Sequence, residues 1–351
     1  MIDLSLADPQ DGAPQRFKDE LRANLENPRF DFYPNKIGEP ELQEAIAIHY
    51  SQEYKVSLDF DTNICITAGG WQALTVCLQA MGQAGDVVAY IEPVFHGIPK
   101  IIKVVGMKPY PLPMKAILGS DADLEKTFQF LSGAIFLLNS PHNPTGTIVS
   151  PKQLRAIAQA AQTYNVKVVS DFVFKDIYED QQPRSYLEYD STALEVCSFS
   201  KTFRMSGWRC GYIIGRGLYI KRVLQLRKNL DSGVPSAIQL AIVPLVYEKT
   251  EVAEFRCRIA NRRKFFVNGL KELGFRVSLP TDGIGTNLVW TALSSRMSSS
   301  QEAVQLLDSV GVKALPGLAC GALGEGHLRF SLNVNQTLLQ KALERIAHVF
   351  S

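Results

Sequence analysis

The chain alternates short apolar runs with segments in which apolar residues recur at helical spacing. The apolar runs predict buried strands at 63–67, 86–91, 133–138 and 166–170. The helical spacing predicts helices at 15–26, 41–53, 71–81, 151–164 and 218–231, within 236–272, and at 336–350. From residue 275 the pattern changes to shorter strands and helices, which predicts a smaller α+β unit near the carboxyl terminus.

Composition is that of an ordinary globular protein and argues against several function classes. The 351 residues, 46% of them hydrophobic, suffice for two domains or one large α/β unit with a sizeable core. A net charge of +2 gives no indication of a nucleic-acid or acidic-membrane partner. No apolar run approaches the ~20 residues of a bilayer-spanning helix, and the amino terminus lacks a signal-peptide pattern. The cysteines and histidines form no CxxC or HxxxH pair, so we expect a cytoplasmic protein with reduced thiols and no metal site.

Candidate chemistry is concentrated in the stretch 198–212, where Lys201 and Arg209 lie eight residues apart and Ser198 precedes the lysine by three. A lysine that attacks a carbonyl needs apolar walls or another cation nearby, because both lower its pKa. The guanidinium fork of an arginine matches phosphate oxygens in pairs. A lysine for an aldehyde beside a cradle for a phosphate predicts a pyridoxal-phosphate site.

This stretch resembles the cofactor-lysine signature of the class I/II aminotransferases, which are fold-type I pyridoxal-phosphate enzymes. The resemblance implies that Lys201 is the Schiff-base lysine. It also implies that the phosphate is held by Ser198, Ser200 and Arg209. Arg204 departs from the family pattern, which usually has a small residue there. It is either a solvated charge or an additional contact at the mouth of the site.

Three further segments match the family's cofactor contacts. Gly69 and Gly70 form a strand-to-helix turn whose free amides suit a phosphate, and the resemblance adds the Trp71 amide. Phe95 follows the next strand, where the family stacks an aromatic ring on the cofactor's pyridine. Tyr33 matches a tyrosine that reaches the phosphate in the neighbouring subunit, which implies a homodimer with shared active sites.

Two buried strands end in residues that match the family's contacts to the cofactor ring. The loop 139–146 resembles the family's most recognisable loop, in which Asn143 donates to the phenolic oxygen. Asp171 ends a buried strand, where a carboxylate needs a partner, and a protonated pyridine nitrogen is such a partner. Phe174 stands where the family usually has a tyrosine that also binds the phenolic oxygen, and phenylalanine cannot do so.

The substrate contacts are predicted near the carboxyl terminus and after the helix at 218–231. Arg329 lies in an apolar, strand-like segment, where an unpaired guanidinium is expensive. The family places its arginine for the substrate carboxylate in a matching strand, with Asn143 nearby; the alternative is a structural salt bridge. Asp231 could select a cationic substrate, or it is an exposed loop aspartate.

The resemblance covers nearly the whole chain and implies an architecture. We expect a large cofactor domain at 36–235, with a mostly parallel seven-stranded sheet. A small α+β domain would combine 1–35 with 236–351, and the site would lie between the two domains at the carboxyl ends of strands.

The implied function is an aminotransferase acting on an α-amino acid, in which Lys201 moves a proton between the α-carbon and the cofactor's C4′. One alternative, motivated by Phe174 and Asp231, is an elimination and cyclisation enzyme of the capreomycidine or enduracididine type, acting on an arginine-like amino acid. A third candidate is a catalytically idle ligand-sensing domain. It is disfavoured because Lys201 is intact and a fused DNA-binding segment is absent.

Overall fold

The computed structural model describes residues 1–280, 283–293, 297 and 299–350. In this part of the chain the strands are β1 (Ile2–Asp3), β2 (Ile64–Thr67), β3 (Val87–Glu92), β4 (Lys108–Pro113), β5 (Ile135–Asn139), β6 (Lys167–Asp171), β7 (Tyr178–Glu179), β8 (Leu194–Ser198), β9 (Gly211–Gly215), β10 (Ile284–Gly285), β11 (Leu288–Ala292), β12 (Val312–Lys313), β13 (Leu315–Pro316) and β14 (His327–Ser331). The α-helices are α1 (Gln15–Ala23), α2 (Pro40–Tyr54), α3 (Phe60–Asn63), α4 (Gly70–Met81), α5 (Gly97–Val104), α6 (Met114–Leu118), α7 (Asp121–Phe130), α8 (Pro151–Thr163), α9 (Phe199–Thr202), α10 (Gly217–Leu230), α11 (Ser236–Tyr247), α12 (Lys249–Glu272), α13 (Ser300–Ser309) and α14 (Gln336–Phe350). Short 3₁₀ segments occur at Pro28–Asp31, Tyr186–Glu188, Ser206–Trp208, Gly317–Cys320 and Ala322–Gly324.

Seven of these strands form one sheet, in the order β2-β9-β8-β6-β5-β3-β4. Strand β9 runs antiparallel to both of its neighbours, and the remaining pairs are parallel. The prediction of an α/β protein with a mostly parallel seven-stranded sheet is therefore confirmed.

The sheet is buried on both faces because successive residues of each strand enter different hydrophobic cores. In β5, Ile135 and Leu137 pack into one core, while Phe136 and Leu138 pack into the other. Helices α4, α5 and α10 contribute to the first of these cores, and α2, α7, α8 and α11 contribute to the second. This arrangement explains why the strand at 133–138 is apolar at every position rather than at alternate ones.

A third hydrophobic core belongs to the carboxyl-terminal part of the chain. It packs α12, α13 and α14 against the antiparallel sheet β11-β14-β13. The amino-terminal strand β1 joins this part, because Ile2 pairs with Val312 of β12. The first residues of the chain thus pack with its carboxyl-terminal part.

The division at 35/36 and 235/236 stays a prediction. Helices α1 and α11, which that division assigns to the small domain, contribute Phe17 and Ile242 to a core of the large sheet. The helices predicted at 41–53, 151–164 and 336–350 are confirmed to within a few residues. Each described helix is too short or too polar to serve as a bilayer-spanning segment.

Candidate active site

The carboxyl ends of the parallel strands open into a cavity of about 300 Å³. Because these ends share one edge of the sheet, loops that are distant in sequence meet there. The cavity is lined by ten of the residues predicted to form the site: Gly70, Trp71, Phe95, Asn143, Asp171, Phe174, Ser198, Ser200, Lys201 and Arg209. The described residues contain no group of three or more His, Cys, Asp or Glu side chains arranged to bind a metal ion.

Lys201 lies on the single-turn helix α9, which follows β8 directly. Ser198 caps that turn, because its hydroxyl accepts a hydrogen bond from the Ser200 amide at 3.3 Å. The Lys201 amine donates to the Ala7 carbonyl oxygen at 2.5 Å. Burial lowers the pKa of this amine to about 8; the Asp8 carboxylate opposes this shift, and the charges of Arg329 and Arg209 add to it. The lysine is therefore a better nucleophile and base near neutral pH than an exposed lysine.

Asp171 is the last residue of β6 and is buried. Burial raises the pKa of its carboxyl group to about 7, opposed only by a hydrogen bond from the Val173 amide at 3.4 Å. Among the described residues, none forms an ion pair with it. A buried carboxyl group without a cationic partner fits a site that receives a protonated ring nitrogen.

The turn before α4 forms another part of the cavity wall. Gly69 has a positive φ of 84°, and a Cβ at this position would lie 2.6 Å from Nη2 of Arg209. Arg209 is fixed by hydrogen bonds to the carbonyl oxygens of Ser206 at 2.6 Å and Ala68 at 3.2 Å. The helix amides and the guanidinium therefore converge beside Ser198, which is the donor set that a phosphate group requires.

Aromatic side chains form two walls of the cavity. Trp71 packs edge-on against Phe95, with ring centroids 5.8 Å apart. Phe174 is fully buried, and the Lys201 amine lies 5.7 Å from the centre of its ring. A flat ring fits between such walls, but Phe174 supplies no hydrogen-bond donor beside the lysine.

Arg329 lies on β14 and is 2% exposed. Its Nη1 donates to Oδ1 of Asn143 at 3.1 Å, its Nη2 donates to the Ser5 carbonyl oxygen at 2.6 Å, and its Nε has no partner within the described structure. None of these partners is a carboxylate, so a structural salt bridge does not account for the buried charge among the described residues. A guanidinium in this state fits a carboxylate ligand.

Four of the predicted residues are not among those that line the cavity: Gly69, Arg329, Tyr33 and Asp231. Gly69 adjoins Arg209 and Arg329 bonds Asn143, so these two lie next to lining residues, whereas Tyr33 and Asp231 lie elsewhere. Tyr33 is 88% exposed, as expected of a residue whose predicted target is in another subunit. Asp231 has both carboxylate oxygens engaged: Oδ2 accepts from Arg227 at 2.5 Å and from Gln72 at 2.7 Å, and Oδ1 accepts from the Gly233 amide at 2.8 Å. Asp231 is thus paired within its own chain, and its selection of a cationic substrate stays a prediction.

Some residues of the cavity were not predicted from the sequence. Leu6, Ala7 and Asp8 of the amino-terminal segment line it, although their composition indicates only a loop. Asn139 also lines it, and its Oδ1 accepts a hydrogen bond from the Asn143 amide at 2.8 Å. The only feature of the sequence that could have indicated a role for Asn139 is its position at the start of the 139–146 loop.

Comparison with known proteins gives consistent matches over the whole chain. Residues 1–346 match the family model described as aminotransferase class I and II. An LL-diaminopimelate aminotransferase from Dehalococcoides mccartyi is 28% identical over 99% of this chain and 90% of its own length. An aspartate aminotransferase from Pyrococcus horikoshii is 29% identical, with the same coverage.

Solved structures agree with this result. An aromatic aminotransferase from Pyrococcus horikoshii superposes with a TM-score of 0.91 at 27% identity, covering 99% of this chain and 95% of that one. Substrate-bound BacF from Bacillus subtilis superposes with a TM-score of 0.89 at 28% identity, covering 99% and 90%. The chain therefore belongs to the class I and II aminotransferase family and is a pyridoxal-phosphate-dependent enzyme.

Proposed function

We propose that this enzyme transfers the amino group of an α-amino acid, with Lys201 and Asp171 as its catalytic residues. The observation that carries the proposal is their position in one cavity, with the pKa of Lys201 lowered to about 8 and that of Asp171 raised to about 7. Bound pyridoxal phosphate supplies an aldehyde for amines and an aromatic ring that withdraws electrons from the α-carbon.

Each of the two residues has a distinct task. The Lys201 amine would hold the cofactor and, once released, would take the proton from the substrate α-carbon and deliver it to the cofactor's C4′. Its lowered pKa supports this role, because a base works best when its pKa is near the working pH. Asp171 would keep the cofactor's ring nitrogen protonated, since a buried carboxylate gains most from a cationic partner.

The remaining contacts divide between the cofactor's phosphate and the substrate's carboxylate. Gly69, Gly70, the Trp71 amide, Ser198, Ser200 and Arg209 would hold the phosphate. Arg329 would bind the substrate carboxylate in a fork, together with Asn143. The unsatisfied Nε of Arg329 and its neutral partners support this assignment.

The second candidate, elimination followed by cyclisation, rests on Phe174 alone. Phe174 offers no hydroxyl to the cofactor's phenolic oxygen, whereas Asp231, the other motivation, is paired with Arg227. We therefore rank transamination first. Both reactions begin with removal of the α-proton by Lys201, so the cofactor form at the end of the reaction distinguishes them.

We also propose a homodimer with shared active sites in the cytoplasm. Phe32 and Tyr33 are 74% and 88% exposed, which is unusual for adjacent aromatic residues unless a partner covers them. In such a dimer Tyr33 would reach the phosphate of the partner subunit's cofactor.

The test is a half-reaction without an amino acceptor. Purified holoenzyme is mixed with single amino acids, and the absorbance of the bound cofactor is followed. Transamination leaves the cofactor in its amine form until a keto acid is added, whereas elimination and cyclisation return the aldehyde form. Failure of every amino acid to change the spectrum would contradict both functions.

A further inference from the structure

The amino-terminal segment 2–12, which we call the arm, forms one wall of the active-site cavity. Its first residues are held by the pairing of β1 with β12. Further along, the carbonyl oxygens of Ser5 and Ala7 accept hydrogen bonds from Arg329 at 2.6 Å and Lys201 at 2.5 Å. The arm thus contacts the two cations proposed to bind substrate and cofactor.

Two arginines hold the far end of the arm. Arg262, on α12, donates from both terminal nitrogens to the Asp11 carboxylate, at 2.9 and 2.8 Å. The Nε of Arg204 donates to the Gly12 carbonyl oxygen at 3.0 Å. Between the two ends, the Ser206 hydroxyl donates to the Asp8 carboxylate and the Ser331 amide donates to the Leu4 carbonyl oxygen. The arginines add to these contacts at the end where the arm leads into α1.

Arg204 is neither a solvated charge nor a contact at the mouth of the site. It is 5% exposed, and its guanidinium also bonds the Glu251 carboxylate and stacks over the Phe255 ring at 4.8 Å. Its φ of 54° places it in the left-handed region, which is uncommon for a residue other than glycine. It follows Lys201 by three residues and lies just after α9, so the arm is tied close to the turn that carries the lysine.

We propose that Arg204, together with Arg262, is a positioning device that fixes the arm over Lys201 and Arg329. The arm brings the Ala7 carbonyl oxygen to the Lys201 amine and closes that side of the cavity against water. Loss of this anchor lets the arm leave the wall, so that a smaller fraction of molecules is ready to bind substrate. The effect on substrate binding rests on the proposed function, whereas the anchoring of the arm does not.

The experiment is hydrogen exchange on the full-length protein, with and without cofactor, read at single amides by mass spectrometry. The Gln10 amide donates to the Asn333 carbonyl oxygen at 3.0 Å near the anchored end, and the Leu4 amide donates to the Lys313 carbonyl oxygen at 2.9 Å near the other end. In Arg204→Ala we expect Gln10 to exchange about 10- to 100-fold faster, as loss of a charge-assisted hydrogen bond implies. Leu4 keeps its rate.

Two further variants keep the test decisive. Arg258→Ala is the matched control, because Arg258 approaches the same Glu251 carboxylate at 3.9 Å and the same Phe255 ring at 5.8 Å. It makes no hydrogen bond to the described arm residues, although its charge helps to lower the pKa of Asp11. Asp11→Asn weakens the anchor from the arm side and leaves Arg204 and Glu251 paired. If Arg204→Ala does not fold, Asp11→Asn provides the test in its place. We expect the same selective increase in the exchange rate of the Gln10 amide.

The kinetic readout follows from the same change. KM for the amino acid rises about tenfold in Arg204→Ala, with a smaller change in kcat, and Arg204→Lys falls between it and the parent. Unchanged exchange at Gln10 in folded Arg204→Ala or in Asp11→Asn overturns the proposal. Equal acceleration in Arg258→Ala, or equal acceleration throughout α12, also overturns it. If the parent enzyme is inactive towards all amino acids but the variants show the selective increase in the exchange rate of the Gln10 amide, the proposed function is refuted and the proposed anchor is not.

Discussion

Replacement of Arg329 by alanine is the most direct test of how this enzyme binds its substrate. Arg329 is 2% exposed and offers its guanidinium to neutral oxygens only. In the proposed complex, the carboxylate of the bound amino acid would be out of water and paired with the guanidinium fork of Arg329. In Arg329→Ala the same carboxylate enters the site without that partner.

The magnitude follows from the burial. Removing one partner of a buried, hydrogen-bonded charge pair costs about 2–5 kcal/mol, and every 1.4 kcal/mol is tenfold in affinity. KM for the amino acid should therefore rise about 30- to 3,000-fold. The pair forms before the chemistry and persists through it, so kcat should change much less.

The assay is the half-reaction at a series of amino-acid concentrations, repeated with the primary amine that lacks the carboxylate. Arg329→Ala should weaken the binding of the amino acid but not the binding of the amine. Arg329→Lys should show a smaller loss, because lysine keeps the charge but not the fork. Unchanged kinetics, or an equal loss for the amine, would mean that the carboxylate binds elsewhere. Thermal unfolding of both variants controls for damage to the Asn143 and Ser5 contacts.

Three other predictions address the cofactor site. Lys201→Ala should abolish the visible absorbance of the bound cofactor in purified enzyme; retention of a pH-dependent band would refute the assignment. In cofactor-free enzyme, the rate at which an amine reagent modifies Lys201, measured by mass spectrometry, should rise with pH with a midpoint at about 8. Burial lowers the pKa of this amine, and the protonated amine below that pH is unreactive. A midpoint near that of exposed lysines would contradict the argument. Gly69→Ala should weaken pyridoxal-phosphate binding at least about tenfold, since a Cβ would lie 2.6 Å from the Arg209 guanidinium on a backbone with φ of 84°. A cofactor titration of the apoenzyme that matches the parent would contradict it.

Much of the fold was readable from local pattern. The strand at 133–138 and the helix at 336–350 are encoded in consecutive residues, so periodicity alone predicted them. The periodicity of 236–272 predicts helix, and the segment forms two helices, α11 and α12. Helix α11 packs on a core of the large sheet. Nothing local in an apolar helix specifies which of two cores it joins.

In the candidate site, too, some features follow from local sequence and others depend on tertiary packing. The sequence by itself was enough to predict the cofactor-binding loops, because the Lys201–Arg209 stretch and the 139–146 loop are contiguous motifs. Only the tertiary structure decided that Asp231 is paired with Arg227 and that the arm lies against Lys201. The Lys201–Ala7 contact spans 194 positions, and such a contact depends on how the strands and helices are assembled. The lowered pKa of Lys201 and the raised pKa of Asp171 arise in the same way, because desolvation exists only once the cavity has formed.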